Sequence, residues 1–168
     1  KAAIRDDNPV IYLEYKWLYR RVKEAMPPGD HVIPLGQAAL RREGRDVSVI
    51  TYGPTVHHAL EAAHRLADEG IELEVVDLRT LVPLDDEAIF RTVRKTGKVV
   101  VAHEATRTAG FGGEIVARIA EEAFEHLDAP IVRVAAPDTP VPYSAPLETF
   151  FLPDAPKITD AVRKLARY

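Results

Sequence analysis

From Asp46 onward the apolar positions alternate between two periods. The runs 46–53 (DVSVITYG), 71–78 (IELEVVDL), 98–104 (KVVVAHE) and 130–137 (PIVRVAAP) are short and mostly rich in β-branched residues, the composition of strands. Between them, 55–70 places Val56, Leu60, Ala63 and Ala67 on one helical stripe and stops at Gly70. Helices are also predicted over 85–97, 113–127 and 158–168. The helix over 85–97 carries acids in its first turn, bases near its end and Gly97 beyond, which complements the helix dipole. The apolar run of 98–104 suits a strand covered on both faces. Strands alternating with helices at this spacing imply βαβ units, and hence an α/β fold with a mostly parallel sheet between two helical layers.

Upstream the pattern changes. Residues 8–15 (NPVIYLEY) form an apolar run after a turn signal and read as a strand. Residues 16–44 hold no long period of either kind and contain Pro27, Pro28, Gly29 and Pro34, so they read as a connecting arm. A strand separated in this way from the alternating block suggests the tail of a preceding domain, with the boundary between residues 20 and 40. The chain begins at Lys1 rather than Met, so a cut end is expected. The 168 residues are 46% hydrophobic and 29% charged, ordinary for a soluble globular protein. A net charge of −4 disfavours nucleic acid, which needs a basic face. No apolar run approaches the ~20 residues that span a bilayer. With no cysteine, disulfides and thiolate metal sites are excluded.

Several stretches could carry chemistry. Residues 107–124 (RTAGFGGEIVARIAEEAF) set three glycines before a helix. Gly110 and Gly112 fit a dinucleotide fingerprint, but its third glycine falls on Ile115, and Glu114 would repel a phosphate. The favoured reading is a tight turn from strand to helix that packs closely on the sheet. His103 and Glu104 end a strand at the edge where open parallel sheets bind ligands. They are either an acid–base pair or, the favoured reading, residues that bond adjacent loops or face a partner, because neighbours on a strand point to opposite faces. His57, His58 and His64 lack the i, i+4 spacing with a third ligand that a helical zinc site needs, and read as helix surface or edge residues. The two serines, Ser48 and Ser144, lie in no nucleophile elbow. The proline-stiffened segment 137–153 carries Tyr143, Phe150 and Phe151, which either fold back on the sheet or face another chain.

The stretches DNPVIYLEYKWLYR, EVVDLRTLVPLD, KTGKVVVAHEA, GFGGEI, DAPIVRVAAPDTPVPY and LPDAPKITDAVRKLARY resemble, in order, the C-terminal half of the beta subunit of thiamine-dependent 2-oxo acid dehydrogenases. The resemblance implies residues 1–20 as the tail of a pyrimidine-binding domain, 21–44 as a connecting arm and 45–168 as a transketolase C-terminal-type domain with a five-stranded mixed sheet. It implies that the whole enzyme decarboxylates a branched-chain 2-oxo acid or pyruvate on thiamine diphosphate and Mg2+, and passes the acyl group to a lipoyl arm. FFLPD and LEYKWLYR look closer to branched-chain members. In such an enzyme the cofactor is gripped by an alpha subunit and the front half of beta, so no catalytic or cofactor-binding residue is assigned here. The isolated chain is expected to be inactive.

The same resemblance implies a potassium ion near Ala3, Asp6 and Asn8 in AIRDDNP; a capped turn before the strand accounts for these residues equally well. It also implies an alpha subunit and a second beta subunit in an alpha2beta2 heterotetramer, with Asp128 and the terminal carboxylate of Tyr168 suited to a basic subunit-binding domain of the lipoyl acyltransferase. For Asp128, helix-end solubility is an equal account. The whole enzyme is expected in bacterial or archaeal cytoplasm or the mitochondrial matrix. Two alternatives are a single-chain transketolase or deoxyxylulose phosphate synthase-type domain, and a free-standing nucleotide-binding domain using the Gly110–Gly113 loop.

Overall fold

The computed structural model describes residues 1–168. Its strands are β1 (Ala39–Arg42), β2 (Val47–Thr51), β3 (Leu73–Asp77), β4 (Val99–Thr106) and β5 (Val132–Ala136). Its helices are α1 (Ala2–Arg5), α2 (Thr55–Ala67), α3 (Asp86–Thr96), α4 (Gly112–Glu122), α5 (Ala145–Phe151) and α6 (Ala155–Leu165). One five-stranded sheet runs in the order β1-β3-β2-β4-β5. All neighbours are parallel except β1, which pairs antiparallel to β3. The expected three-layer α/β architecture with a mixed sheet is therefore present.

The pleat divides the core. Val47 and Val49 of β2 and Val100 and Ala102 of β4 pack against Ala59, Ala63 and Leu66 of α2 and Ile158, Val162 and Leu165 of α6. Ile50, Val99 and Val101 point the other way, onto Ile89 and Val93 of α3 and Ile115 and Ile119 of α4. Successive residues of β2 are all buried, as a strand with both faces covered requires. The helix ends follow their local signals. Asp85 accepts a hydrogen bond from the Ala88 amide (3.0 Å) at the start of α3, and Gly97 takes a left-handed conformation at its end. Asp154 caps α6 in the same way through the Lys157 amide (2.9 Å).

Four expectations need correction. Residues 8–15 are irregular rather than a strand, and Ile11, Tyr12 and Leu13 are 75–86% exposed. A strand exists only by virtue of a ladder, and no strand of this chain pairs with that segment. The stretch 16–44 is not arm throughout, since it contains a 3-10 turn at Lys16–Leu18 and ends in β1. β1 is four residues, ALRR, with no strand composition, so its conformation comes from pairing with β3. The helix predicted over 113–127 ends at Glu122 and continues as a 3-10 turn. Within 137–153 the prolines conceal α5, whose proline sits in the first turn, where a missing N–H costs nothing.

Candidate functional site at the carboxyl edge of the sheet

β2 is the central strand. The chain passes from it to β3 on one side and then to β4 on the other, so the connections leaving β2 and β4 diverge at the carboxyl edge. In open α/β sheets that point is where ligands bind. Here it gathers Tyr52 and Gly53 after β2, His103 and Glu104 of β4, the 109–113 loop and Tyr15 from upstream.

His103 is fully buried, and neither ring nitrogen has a hydrogen-bond partner. Its ring stacks on Tyr52, centroids 6.0 Å apart and planes 9° from parallel. The glycines of the loop press on the other side. A Cβ on Gly112 would lie 2.5 Å from His103 Cδ2 and closer still to Nε2, and one on Gly110 would lie 2.8 Å from Cε1. The sharp turn itself falls on Ala109, with φ of 59°. Gly110 and Gly112 therefore serve closeness rather than backbone freedom. The loop amides are also engaged: Gly113 N–H donates to Gly110, and those of Glu114 and Ile115 donate to Phe111. Glu114 pairs with Arg118. What looked like a phosphate cradle is a seat for an imidazole. The ring is held mainly by these packing contacts.

Glu104 points to the opposite side of the strand, half-buried, so no shared acid–base centre forms. Tyr15 inserts into a notch left by Gly53, where a Cβ would lie 2.7 Å from its ring. Gly53 has φ of 61°, so its geometry and its lack of a side chain are both used. Burial dominates the electrostatics. It pushes the Glu104 carboxyl up and the His103 imidazole down. It raises the Tyr15 phenol, helped by Glu104, and the Tyr52 phenol to about 12, helped by Tyr15 and Glu104. The junction thus favours neutral groups. The sign for Tyr52 follows: a phenol raised in the folded state stabilises the fold fully below its unfolded value, and that stability is lost as pH climbs toward about 12. A base titration followed by phenolate absorbance is expected to show a late-ionising tyrosine that Tyr52→Phe removes; an unchanged profile contradicts the buried stack.

The other candidate residues are scattered. His57 lies half-buried in the first turn of α2, His58 packs on Trp17 (ring centroids 5.9 Å apart) and His64 is exposed. Ser48 joins a buried hydroxyl network with Thr92 (2.6 Å) and Thr96 (2.8 Å), and Ser144 precedes α5. Ala3 lies in the single turn of α1. Asp6 Oδ1 accepts from the Asn8 backbone amide (2.9 Å) and from Asn8 Nδ2 (3.0 Å), an Asx turn. Hydrogen bonding to Asn8 holds the Asp6 carboxyl below its ordinary value. Asp128 sits at the amino edge of the sheet, its Cγ 2.7 Å from where a Gly97 Cβ would stand. It lines the same hollow as Ala166, which puts Asp128 and the chain end near Tyr168 on one face. Of the three aromatics in 137–153, Phe151 is buried while Tyr143 and Phe150 are exposed.

The model of the family described as transketolase, C-terminal domain, matches residues 36–158. The chain belongs to that family. The match begins just before β1, so this transketolase C-terminal domain includes the antiparallel edge strand. The chain is 47% identical to 2-oxoisovalerate dehydrogenase subunit beta of Bacillus subtilis (strain 168), over 100% of its own length and 52% of the relative's. It is 44% identical to the pyruvate dehydrogenase E1 component subunit beta of the same strain, over 99% and 51%. It spans about half the length of the curated relatives it matches. Among solved structures, a chain described as split gene transketolase, inactive beta4 tetramer, superposes with a TM-score of 0.73 at 32% identity, covering 87% of this chain and 46% of that one. No helix of the transketolase C-terminal domain or its N-terminal extension is long and apolar enough to cross a membrane.

The residues that the sequence did not single out are Tyr15, Tyr52, Arg41 and Arg79. Arg79 has a left-handed backbone (φ 59°) and Arg41 occupies a β-bulge, neither of which has a local sequence signal at an arginine.

Proposed function

We propose that the chain is the C-terminal part of the beta subunit of a thiamine diphosphate-dependent 2-oxo acid dehydrogenase, and that this part serves subunit assembly and docking. One observation carries the reading. The identity to such beta subunits extends over 99–100% of this chain, including the 35 residues that precede the family match at residue 36. A match confined to the common domain would not reach that segment.

In this reading thiamine diphosphate and Mg2+ are held by an alpha subunit and the front half of beta, where the cofactor supplies decarboxylation of the 2-oxo acid. This chain's residues build the scaffold. The neutral junction of buried His103 and half-buried Tyr52 fits a structural rather than a reacting role. Asp128 and the Tyr168 carboxylate, on one face, offer negative charge to a basic subunit-binding domain of a lipoyl acyltransferase, where they steer association. A second beta subunit and two alpha subunits complete the assembly. Tyr143 and Phe150 are apolar groups that a partner chain would cover. Asp6, Asn8 and the Ala3 carbonyl are oxygen donors suited to potassium, which would tie the turn to residues outside this chain. The substrate is a branched-chain 2-oxo acid or pyruvate. The compartment is bacterial or archaeal cytoplasm or the mitochondrial matrix.

The test is reconstitution. The chain alone is expected to give no turnover. Supplied as a complete beta subunit together with alpha, thiamine diphosphate and Mg2+, it is expected to oxidise 2-oxoisovalerate or pyruvate with an artificial electron acceptor. A folded complex that transfers ketol units between sugar phosphates instead would favour the second reading, a split transketolase, which the structural likeness at 32% identity supports.

A further inference from the structure

A cleft of about 680 Å³ opens at the carboxyl end of β3, between the sheet and the N-terminal extension. That size suits a small ligand. Two separate irregularities of the backbone bring arginines to its wall. The first is the β-bulge in β1: Leu40 pairs with Val76 and Arg42 with Val75, so Arg41 is the extra residue and its side chain is re-aimed. The second is the left-handed backbone of Arg79, a conformation that non-glycine residues hold only at a cost. It is fixed by its amide donating to Asp77 Oδ1 at 3.1 Å. His57, in the first turn of α2, faces the same cleft.

Asp77 is the acid among these three basic side chains. Burial raises its carboxyl above the ordinary value, opposed by the Arg79 amide and by the charges of Arg41, Arg79 and His57. Asp77 alone cannot neutralise both guanidinium groups. Glu24 reaches Arg41 from the far rim at 3.5 Å, but Glu24 is 67% exposed, and such a contact is weak and displaceable. Thr80 beside Arg79 anchors the extension by accepting from the Gly36 amide (3.0 Å), so the wall is held in place.

We propose that this cleft binds a small oxyanion, a carboxylate or a phosphate, through Arg41 and Arg79 with His57 assisting. The planar fork of each guanidinium matches a two-oxygen anion by geometry as well as charge. Apolar side chains from the extension line the rest, so a short aliphatic body is accommodated.

Two probes separate the sources of that chemistry: inorganic phosphate, and isovalerate as a carboxylate with an apolar body. Each is titrated into the 168-residue chain while amide shifts are followed, with sodium chloride at matched ionic strength as control. Saturable shifts at Thr80 and Arg79 are expected with at least one probe. Arg41→Gln and Arg79→Gln are each expected to weaken binding about tenfold, Arg79→Lys less, and Arg94→Gln, on the outer face of α3, not at all. Saturation by phosphate alone assigns a phosphate site, and by isovalerate alone a carboxylate site. The proposal is overturned if neither probe saturates, if chloride reproduces the shifts, or if a folded Arg41→Gln/Arg79→Gln variant binds as the parent does. None of these readouts depends on the dehydrogenase reading.

Discussion

Gly112→Ala is expected to lower the unfolding free energy by about 3 kcal/mol, the upper range for overpacking a closed core. The added methyl would fall on the His103 ring, within 2.5 Å of Cδ2. That ring has nowhere to go, being fully buried with Tyr52 stacked behind it. Gly113→Ala, one residue on, is the matched control. Its Cβ would meet nothing nearer than an Arg133 nitrogen at 3.8 Å, so the helix gains roughly 0.5 kcal/mol from the loss of glycine's backbone freedom. Urea denaturation of the two variants measures the contrast. His103→Ala placed in the Gly112→Ala background is expected to recover part of the loss, because it removes the clashing ring. Equal stability of the two alanine variants would mean the loop does not press on the imidazole.

Lys95→Met is expected to cost about 2 kcal/mol, below the usual range for breaking a buried ion pair because Lys95 itself is 42% exposed and water can partly replace it. Its partner Glu74 is only 4% exposed. Without the ammonium, that carboxylate keeps the Thr92 hydroxyl (2.6 Å) and the Gly44 amide (3.3 Å) as its donors. Those bonds tie β3 to α3 and to the turn before β2. The second substitution gives the sign of the effect. Adding Glu74→Met to Lys95→Met is expected to restore about half the lost stability or more, since removing both charges ends the desolvation cost. Lys95→Met without loss in chemical denaturation would show that the pair is as dispensable as a surface contact. Double variants no better than the single would place the loss in the hydroxyl network instead.

Much of the molecule was readable from local signals. The alternating block from β2 to β5, and α6 after it, follow from periodicity, because apolar stripes and β-branched runs are short-range properties of the chain. Gly97 and Gly70 marked helix ends through left-handed geometry, which likewise acts within a few residues. The closeness of the 110–112 glycines to the sheet was anticipated, as was the divergence of His103 and Glu104, since strand neighbours alternate in direction.

What the sequence hid depends on contacts between distant residues. β1 is a strand because β3 supplies its ladder, and residues 8–15, with better strand composition, are not, because nothing pairs with them. The group that needs Gly112 to be glycine is the His103 imidazole of β4, against which the fold of the loop sets it. Tyr15 in the Gly53 notch joins residues far apart in the chain. The cleft likewise assembles Arg41 from a bulge, His57 from a helix and Arg79 from a strained turn around Asp77. Composition and spacing by themselves determined the class of fold and the alternation of β2 to β5 with α2, α3 and α4, because those rest on nearest-neighbour energetics. Which side chains share a site was decided only in three dimensions, where packing and burial set both their distances and their protonation.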